Sequence, residues 1–163
     1  TAVTLTLNVD AVPPTASAVN HTLHRVTSSW VEGNGAGTGS GGGQGGTVVN
    51  GAATWNSRQH GSTPAEDLPW NTAGGDFVVS PSATLNVGSS PGFRAWTGAG
   101  LVGDVQDWID GTSSNQGWIL LGAESINASA RRYTSSESAT SPVLQVDYST
   151  AGETGVKQWV FYE

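Results

Sequence analysis

Apolar and polar residues alternate from the first residues of the chain, with valines and leucines at every second position and threonines or Asn8 between them. The apolar positions are Val3, Leu5, Leu7 and Val9. Since successive side chains of an extended chain point to opposite faces, this alternation predicts a strand over residues 1–9 with one buried face. Pro13 and Pro14 interrupt the pattern, and a second strand is predicted over residues 20–26.

A pattern with the helical period occupies residues 101–110, where apolar residues share one side of a helix and aspartates the other. The apolar side comprises Leu101, Val102, Val105, Trp108 and Ile109, and the polar side Asp104, Asp107 and Asp110. Gly111 supplies a helix stop. This predicts one short amphipathic helix. The run Trp118–Leu121 is short and wholly apolar and follows a glycine, so it predicts a buried strand.

Further short strands are predicted where apolar runs are bounded by glycine, proline or serine, whereas residues 57–75 are predicted to form a loop. These strands cover residues 48–55, 77–79, 83–87, 130–135 and 143–148. Many short strands with turn signals between them and one helix are typical of an all-β, jelly-roll-like antiparallel β-sandwich. We expect one domain over residues 1–150, with a flexible Gly-rich loop at residues 33–46 and a C-terminal tail over residues 151–163.

Composition and charge narrow the classes of function. The 163 residues carry 23 glycines, no cysteine and a net charge of −7, with Lys157 as the single lysine. This charge argues against nucleic-acid or anionic-membrane partners, and the absence of cysteine excludes thiol catalysis and thiolate metal sites. No apolar window reaches the roughly 18 residues of a membrane span. Few charges and many small polar residues favour a secreted or cell-surface protein. Because Thr1 is not a translation start, we expect that further residues precede it.

Motifs that suggest catalysis or cofactor binding lack the context that they need. Gly88–Gly92 fits G-x-S-x-G, but a nucleophile elbow requires a helix after the serine, and here Pro91 follows. Residues 37–46 contain G-x-G-x-x-G in low-complexity sequence, with no strand–helix–strand unit around it. His21 and His24 are three residues apart, so on a strand they point to opposite faces. We expect no catalytic site, no resident cofactor and no metal, with a structural Ca²⁺ as the alternative.

Asp76 and Glu137 are the candidate ligands for that Ca²⁺, with the alternative that these loop carboxylates accept hydrogen bonds from turn amides. The aspartates of the predicted helix lack the spacing of an EF-hand and are predicted to be a solvated face. Asn20 and Asn127 each begin an N-x-S/T sequon and are glycosylation candidates if the chain is secreted through a glycosylating pathway.

Seven tryptophans are the most informative side chains. Trp108 and Trp118 are predicted to lie in the core. The four candidates for ligand binding lie beside loop signals: Trp30, Trp55, Trp70 and Trp96. A flat indole there either stacks on a sugar while its N–H bonds outward, or fills the end of the sandwich.

A series of motifs in a fixed order resembles the disaggregatase-related (DNRLRE) repeat domain, which is related to the family 96 carbohydrate-binding modules. The matching features are Ala2, Leu5 and Leu7; Arg25-Val26 and then Trp30-Val31-Glu32; Ala53-Thr54-Trp55-Asn56; Trp70 and then Gly74-Gly75-Asp76-Phe77; Val105–Gly111; Asn115–Leu121; Ser135-Ser136-Glu137; and Ser141–Tyr148. The resemblance covers Thr1 to about Tyr148.

This resemblance implies a secreted or surface-attached jelly-roll module without catalysis of its own that binds polysaccharide, in some relatives an acidic one such as alginate. For an anionic sugar the binding groups would be arginines. The arginines of the chain are Arg25, Arg58, Arg94, Arg131 and Arg132, and Arg131-Arg132-Tyr133 is the densest basic segment. The predicted ligand-binding set is therefore the four loop tryptophans with Arg94, Arg131, Arg132 and Tyr133.

The tail suggests a second function. Family members usually carry strands before the position of Thr1, and a sandwich short of a strand exposes unpaired backbone groups. The tail has strong β-propensity and apolar residues on both faces, contributed by Val156, Trp159, Val160, Phe161 and Tyr162. One hypothesis is that it completes the sheet of a second copy, so that head-to-tail strand donation builds an extracellular filament. The alternative is that it folds back onto its own sandwich.

Overall fold

The computed structural model describes residues 1–33 and 46–149, and for residues 157–162 the course of the backbone. Within these ranges the regular secondary structure is mostly β-strand in antiparallel sheets, with a single α-helix. The predicted all-β, sandwich-like fold class with one short helix is confirmed. The predicted Gly-rich loop at residues 33–46 lies almost entirely outside the described residues.

The strands are β1 (Ala2–Ala11), β2 (Val19–Arg25), β3 (Ser57–Gln59), β4 (Leu68–Pro69), β5 (Ala83–Val87), β6 (Gly92–Thr97), β7 (Trp118–Leu121), β8 (Arg132–Tyr133), β9 (Val143–Tyr148) and β10 (Lys157–Tyr162). The helix α1 is Ala99–Ile109, and a single 3-10 turn covers Pro64–Glu66. No helix among the described residues has the length and apolarity to span a bilayer.

The strands form three sheets. The largest has the order β10-β9-β1-β6, and β8 also pairs with β1 beyond a register shift between Val9 and Ala11. A second sheet has the order β5-β2-β7, and β3 and β4 form a two-stranded ribbon. Strand β1 is therefore central, which agrees with its strict alternation of apolar and polar residues.

Residue contacts divide the chain into two compact units. The first unit comprises Thr1–Leu23, Pro81–Ser113 and Leu120–Glu163, and the second comprises His24–Ser80 and Ser114–Ile119. The predicted boundary between a domain over 1–150 and a tail over 151–163 stays a prediction.

The core of the first unit lies between its two layers of strands. Val3 and Val9 of β1 are 2% and 1% exposed, whereas Leu5 and Leu7 are only half-buried. Trp96 of β6 is completely buried, and its indole Nε1 donates a hydrogen bond of 3.3 Å to the carbonyl oxygen of His21 in β2. This indole therefore joins one layer to the other.

Helix α1 packs on β1 and β5 with Leu101 and Val105, both buried, as the sequence predicts. Ile109 is 71% exposed, so its predicted place on the buried side is wrong. It is the last residue of the helix, and the chain turns away at Gly111, whose φ is +71°. The apolar side is thus buried only where the helix still faces the strands.

Several predicted strands differ in the structure. Residues 48–55 form no strand, because a turn at residues 50 and 51, where Gly51 has a φ of +89°, bends the chain. The predicted loop over 57–75 instead contains β3 and β4. Phe77 makes only an isolated bridge with Val26. Strand β7 is half-buried rather than buried.

Strand β6 was not predicted at all. It follows β5 through residues 88–91, so the G-x-S-x-G match lies in a connection between two strands. The helix that a nucleophile elbow requires after Ser90 is absent from this described part of the chain.

The tail strand β10 pairs antiparallel with β9 of its own chain, with Trp159 opposite Val146 and Phe161 opposite Leu144. This is the arrangement that the fold-back alternative predicts. Val156 lies outside the described residues.

Candidate functional site

The predicted ligand-binding residues are divided between the two units. Trp30, Trp55 and Trp70 belong to the second unit. The remaining residues of the set belong to the first unit: Trp96, Arg94, Arg131, Arg132 and Tyr133.

In the first unit Trp96 is completely buried, and Tyr133 beside it is half-buried. Trp96 is 0% exposed, so it cannot stack on a ligand, and its predicted binding role is wrong for this conformation. The Tyr133 hydroxyl lies 3.0 Å from Nδ1 of the buried His21. Burial raises the pKa of Tyr133 to about 12 and lowers the pKa of His21. These residues form an inner aromatic cluster that holds the two layers together.

The guanidinium groups of Arg131 and Arg94 donate hydrogen bonds to backbone carbonyl groups. Arg131 donates to carbonyl oxygens of Ser17 and Gly88 and of the residues just before it in the chain. Arg94 donates to the carbonyl oxygens of Phe93 and Ser90. Since an arginine has five N–H donors in a fixed fork, these guanidinium groups tie strand ends together.

Arg132 forms an ion pair with Asp10, with 2.7 Å between Nε and Oδ1. The hydrogen bond from Arg132 holds the pKa of the Asp10 carboxyl below its usual value. Both arginines of the segment Arg131-Arg132-Tyr133 therefore already have partners within the chain.

In the second unit, a tight turn over Thr54–Ser57 carries Trp55. The amide of Thr54 donates to the carbonyl oxygen of Ser57 over 2.7 Å, and the amides of Asn56 and Ser57 donate to the Thr54 hydroxyl over 3.3 and 3.0 Å. The Trp55 carbonyl oxygen in turn accepts a hydrogen bond of 2.7 Å from the amide of Gly74. The backbone of Trp55 is therefore fixed by hydrogen bonds within its own turn and by the bond from Gly74.

The ring of Trp55 lies on the backbone of Gly74. A Cβ atom built on Gly74 would be 2.8 Å from Cη2 of Trp55 and 3.1 Å from both Cζ2 and Cζ3. Nearly equal distances to an atom and its two ring neighbours describe a point above the ring plane, because a point beyond the ring edge lies much farther from the neighbours. Gly74 thus lies against one face of the benzo ring at Cη2. Trp55 as a whole is nevertheless 72% exposed, so most of its surface is accessible to a ligand.

Gly74 has a φ of +95°, a backbone conformation that favours glycine, and lacks the side chain that would displace the ring. In the sequence, the Gly74-Gly75 pair is a loop signal and part of the motif that follows Trp70. Its position some twenty residues after an exposed tryptophan gave no indication that the two meet.

The other two tryptophans direct their N–H groups to the backbone of the same unit. Nε1 of Trp70 donates to the carbonyl oxygen of Thr54, and Nε1 of Trp30 donates to that of Gln116, both over 2.9 Å. The predicted outward N–H is therefore wrong for these rings. Trp30 is 44% exposed and Trp70 half-buried. These bonds fix the rings and leave part of the Trp30 surface accessible.

The segment that carries Trp30 is tied to the same turn. The amide of Val31 donates to the carbonyl oxygen of Arg58 over 3.1 Å, and the amide of Ala53 donates to that of Val31 over 2.8 Å. Val31 itself is 42% exposed. We call the three exposed apolar residues of these hydrogen-bonded segments, Trp30, Val31 and Trp55, the tryptophan platform.

The carboxylate of Asp76 is surrounded by donors. It accepts hydrogen bonds from the Ser28 hydroxyl, the Asn71 side-chain amide and the Thr72 backbone amide, at 2.8, 2.9 and 3.1 Å. Burial alone would raise the pKa of Asp76, but these hydrogen bonds together lower it. This is the turn-stabilising alternative to Ca²⁺ binding.

Glu137 accepts a hydrogen bond from the Ser136 hydroxyl at 3.1 Å, and hydrogen bonds led by that from Ser135 lower its pKa. The described residues contain no cluster of three or more acidic or histidine side chains that could hold a metal ion. A structural Ca²⁺ stays a prediction.

Both sequon asparagines are exposed. The Oδ1 of Asn20 accepts from Asn86 Nδ2, and the Oδ1 of Asn127 accepts from the Ala128 amide. Glycosylation at these sites stays a prediction.

The ring of Trp55 thus lies against Gly74, in a unit that also exposes Trp30. Comparisons with protein-family models, with curated proteins and with solved structures found no match for this chain. The likeness to the DNRLRE domain stays a prediction.

Proposed function

We propose that this protein is a non-catalytic extracellular module that binds polysaccharide through the tryptophan platform, with Trp55 as its principal contact. The observation that carries the proposal is the indole of Trp55, whose benzo ring lies against Gly74 while the residue is 72% exposed. A pyranose ring has an apolar face of C–H groups that matches a flat indole. A rigid exposed indole loses little conformational freedom when a ligand covers it.

The energetic argument follows from the exposed area. A tryptophan side chain presents roughly 150–250 Å², of which Trp55 exposes 72%. A sugar that covers about half of this exposed area removes about 70 Å² from water, which is worth about 2 kcal/mol at about 25 cal/mol/Å². This corresponds to roughly 30-fold in Kd.

The experiment is affinity electrophoresis through gels that contain a panel of soluble polysaccharides, with Trp55→Ala as the variant. The matched control is Phe93→Ala, which removes an aromatic ring that is 63% exposed in the first unit. We expect the parent chain and Phe93→Ala to be retarded by the same polymers, and Trp55→Ala to lose most of the retardation. Equal retardation of all three would refute the role of Trp55.

The non-catalytic part of the proposal has its own test. The chain is incubated with each polymer of the panel and reducing ends are measured. An unchanged amount of reducing ends agrees with the proposal. Depolymerisation that is lost in a carboxylate variant such as Glu137→Gln would overturn it.

A second candidate function is a structural subunit of an extracellular filament, held by strand donation. It draws support from the six-residue ladder between β10 and β9 at one edge of the largest sheet. The same backbone hydrogen bonds would form if one copy supplied β10 to the next. Native mass spectrometry of the intact chain and of a chain that ends at residue 149 tests it. A concentration-dependent ladder of oligomers that the truncation abolishes supports donation, and a monomer throughout refutes it.

A further inference from the structure

The charges of the second unit indicate what kind of polysaccharide the tryptophan platform takes. This unit contains two arginines and no lysine, against four carboxylates. The arginines are Arg25 and Arg58, and the carboxylates are Glu32, Glu66, Asp67 and Asp76. The unit that exposes the tryptophans is therefore net negative, as is the whole chain at −7.

Arg58 is bound within the unit. Its Nη1 donates to the carbonyl oxygen and to the hydroxyl of Ser29, over 3.2 and 2.9 Å. A carboxylate on a ligand would have to compete with these bonds. Arg25 lies in strand β2, whose hydrogen-bonded neighbours in the sheet are β5 and β7.

Glu32 follows directly after the Trp30-Val31 part of the platform and is exposed. Asp67 is engaged by His60, 2.9 Å away, and by the amide of Gly61, and Glu66 accepts from the amide of Ser62. A polyanion laid along the platform would bring its carboxylates near Glu32, and the arginine of the neighbouring segment, Arg58, already donates to Ser29 through Nη1.

Three uncharged polar residues flank Trp55. Asn56 follows it in the turn, and Asn71 and Thr72 lie just before Gly74; all three are exposed. Amides and hydroxyls of this kind both donate to and accept from sugar hydroxyl groups.

We propose that the tryptophan platform selects uncharged polysaccharide and discriminates against acidic polysaccharide. This inference rests on the proposed function, because it concerns the same site. It departs from the acidic ligands that the family resemblance implies, since the arginines predicted to bind them are held by backbone carbonyls or by Asp10.

The test compares polymers that share a backbone and differ in charge. Hydroxyethyl and carboxymethyl derivatives of a β-1,4-glucan, a β-1,3-glucan and a β-1,4-mannan are used as three matched pairs, with alginate and polygalacturonate as further polyanions. Binding of the intact chain is measured at 10 mM and 150 mM salt. At the lower salt, where screening is weak, we expect the acidic member of a recognised pair to bind on the order of tenfold more weakly. Raising the salt concentration should reduce this difference in affinity between the two members and leave binding of the neutral member unchanged.

Glu32→Gln supplies a second measurement, since it removes one exposed charge near the platform without removing an indole. We expect it to improve binding of the acidic polymer and to leave binding of its neutral partner unchanged. If an acidic polymer binds as tightly as its neutral partner or tighter, and Trp55→Ala abolishes this, the inference is overturned while the proposed function stands. If no polymer of either charge binds, both are overturned.

Discussion

Replacement of Gly74 by alanine tests whether the contact between Gly74 and the ring of Trp55 is needed for ligand binding. The added methyl group would lie 2.8 Å from Cη2 of the ring, closer than carbon atoms pack, so the ring has to tilt or lift. The backbone adds a second cost, because a φ of +95° disfavours any residue with a Cβ atom by about 1–2 kcal/mol.

Gly51→Ala provides a matched control in the same unit. Gly51 has a nearly identical φ of +89°, but nothing lies within 4 Å of the Cβ position. Both variants should therefore lose a similar free energy of unfolding to backbone strain, about 1–2 kcal/mol. Only Gly74→Ala should also move the indole.

If the displaced ring forfeits half or more of its contact with a sugar, binding weakens by about 1–2 kcal/mol, or roughly 5- to 30-fold. The assay is affinity electrophoresis on a polymer that retards the parent chain, with urea unfolding of each variant to measure the strain. We expect Gly51→Ala to bind like the parent and Gly74→Ala to bind more weakly. Equal binding by the two variants would refute the reasoning.

Three further predictions concern the first unit. Trp96→Ala should lower the free energy of unfolding by about 3–5 kcal/mol in urea denaturation, since it empties the fully buried site between the layers, and an unchanged midpoint would contradict this. Arg131→Lys should cost about 2–3 kcal/mol in the same assay, because an ammonium group cannot reproduce the fork that bonds several carbonyls, and an unchanged midpoint would contradict this. His21 should make stability depend on pH: burial lowers its pKa in the folded state, so the unfolded chain binds more protons, and the free energy of unfolding should fall as the pH drops below about 6.5. His21→Gln should reduce the change in the free energy of unfolding between pH 7.5 and pH 5. An unchanged pH dependence would mean that other groups cause it.

Elements with a regular pattern could be predicted from the sequence, and those that break the pattern could not. Strand β1 was predicted from alternation and helix α1 from its period. Strand β6 has the pattern inverted: Phe93 and Ala95 are exposed, whereas Arg94 and Trp96 belong to the inward face. Arg94 can lie on the inward face because its guanidinium donates hydrogen bonds to backbone carbonyl groups. These bonds have no signature in the sequence, so apolar alternation alone does not predict this strand.

The candidate site shows the same limit. Loop signals placed four tryptophans on equal terms, yet one of them is completely buried and another is 72% exposed. What separates Trp96 from Trp55 is tertiary structure, a sheet that covers the first and a glycine that supports the second. The arginines likewise looked available as ligand-binding groups, because carbonyl partners distant in sequence, such as Ser17 for Arg131, have no local signature.

The most direct test of the central claim observes the indole of Trp55 itself while a polysaccharide binds. The chain is labelled with 5-fluorotryptophan, the fluorine resonances of Trp55 and Trp96 are assigned with Trp55→Phe and Trp96→Phe, and a neutral oligosaccharide from a polymer that retards the chain is titrated in. We expect the Trp55 resonance to shift in a saturable manner while that of the buried Trp96 stays in place. Saturable binding that leaves the Trp55 resonance unmoved would contradict it.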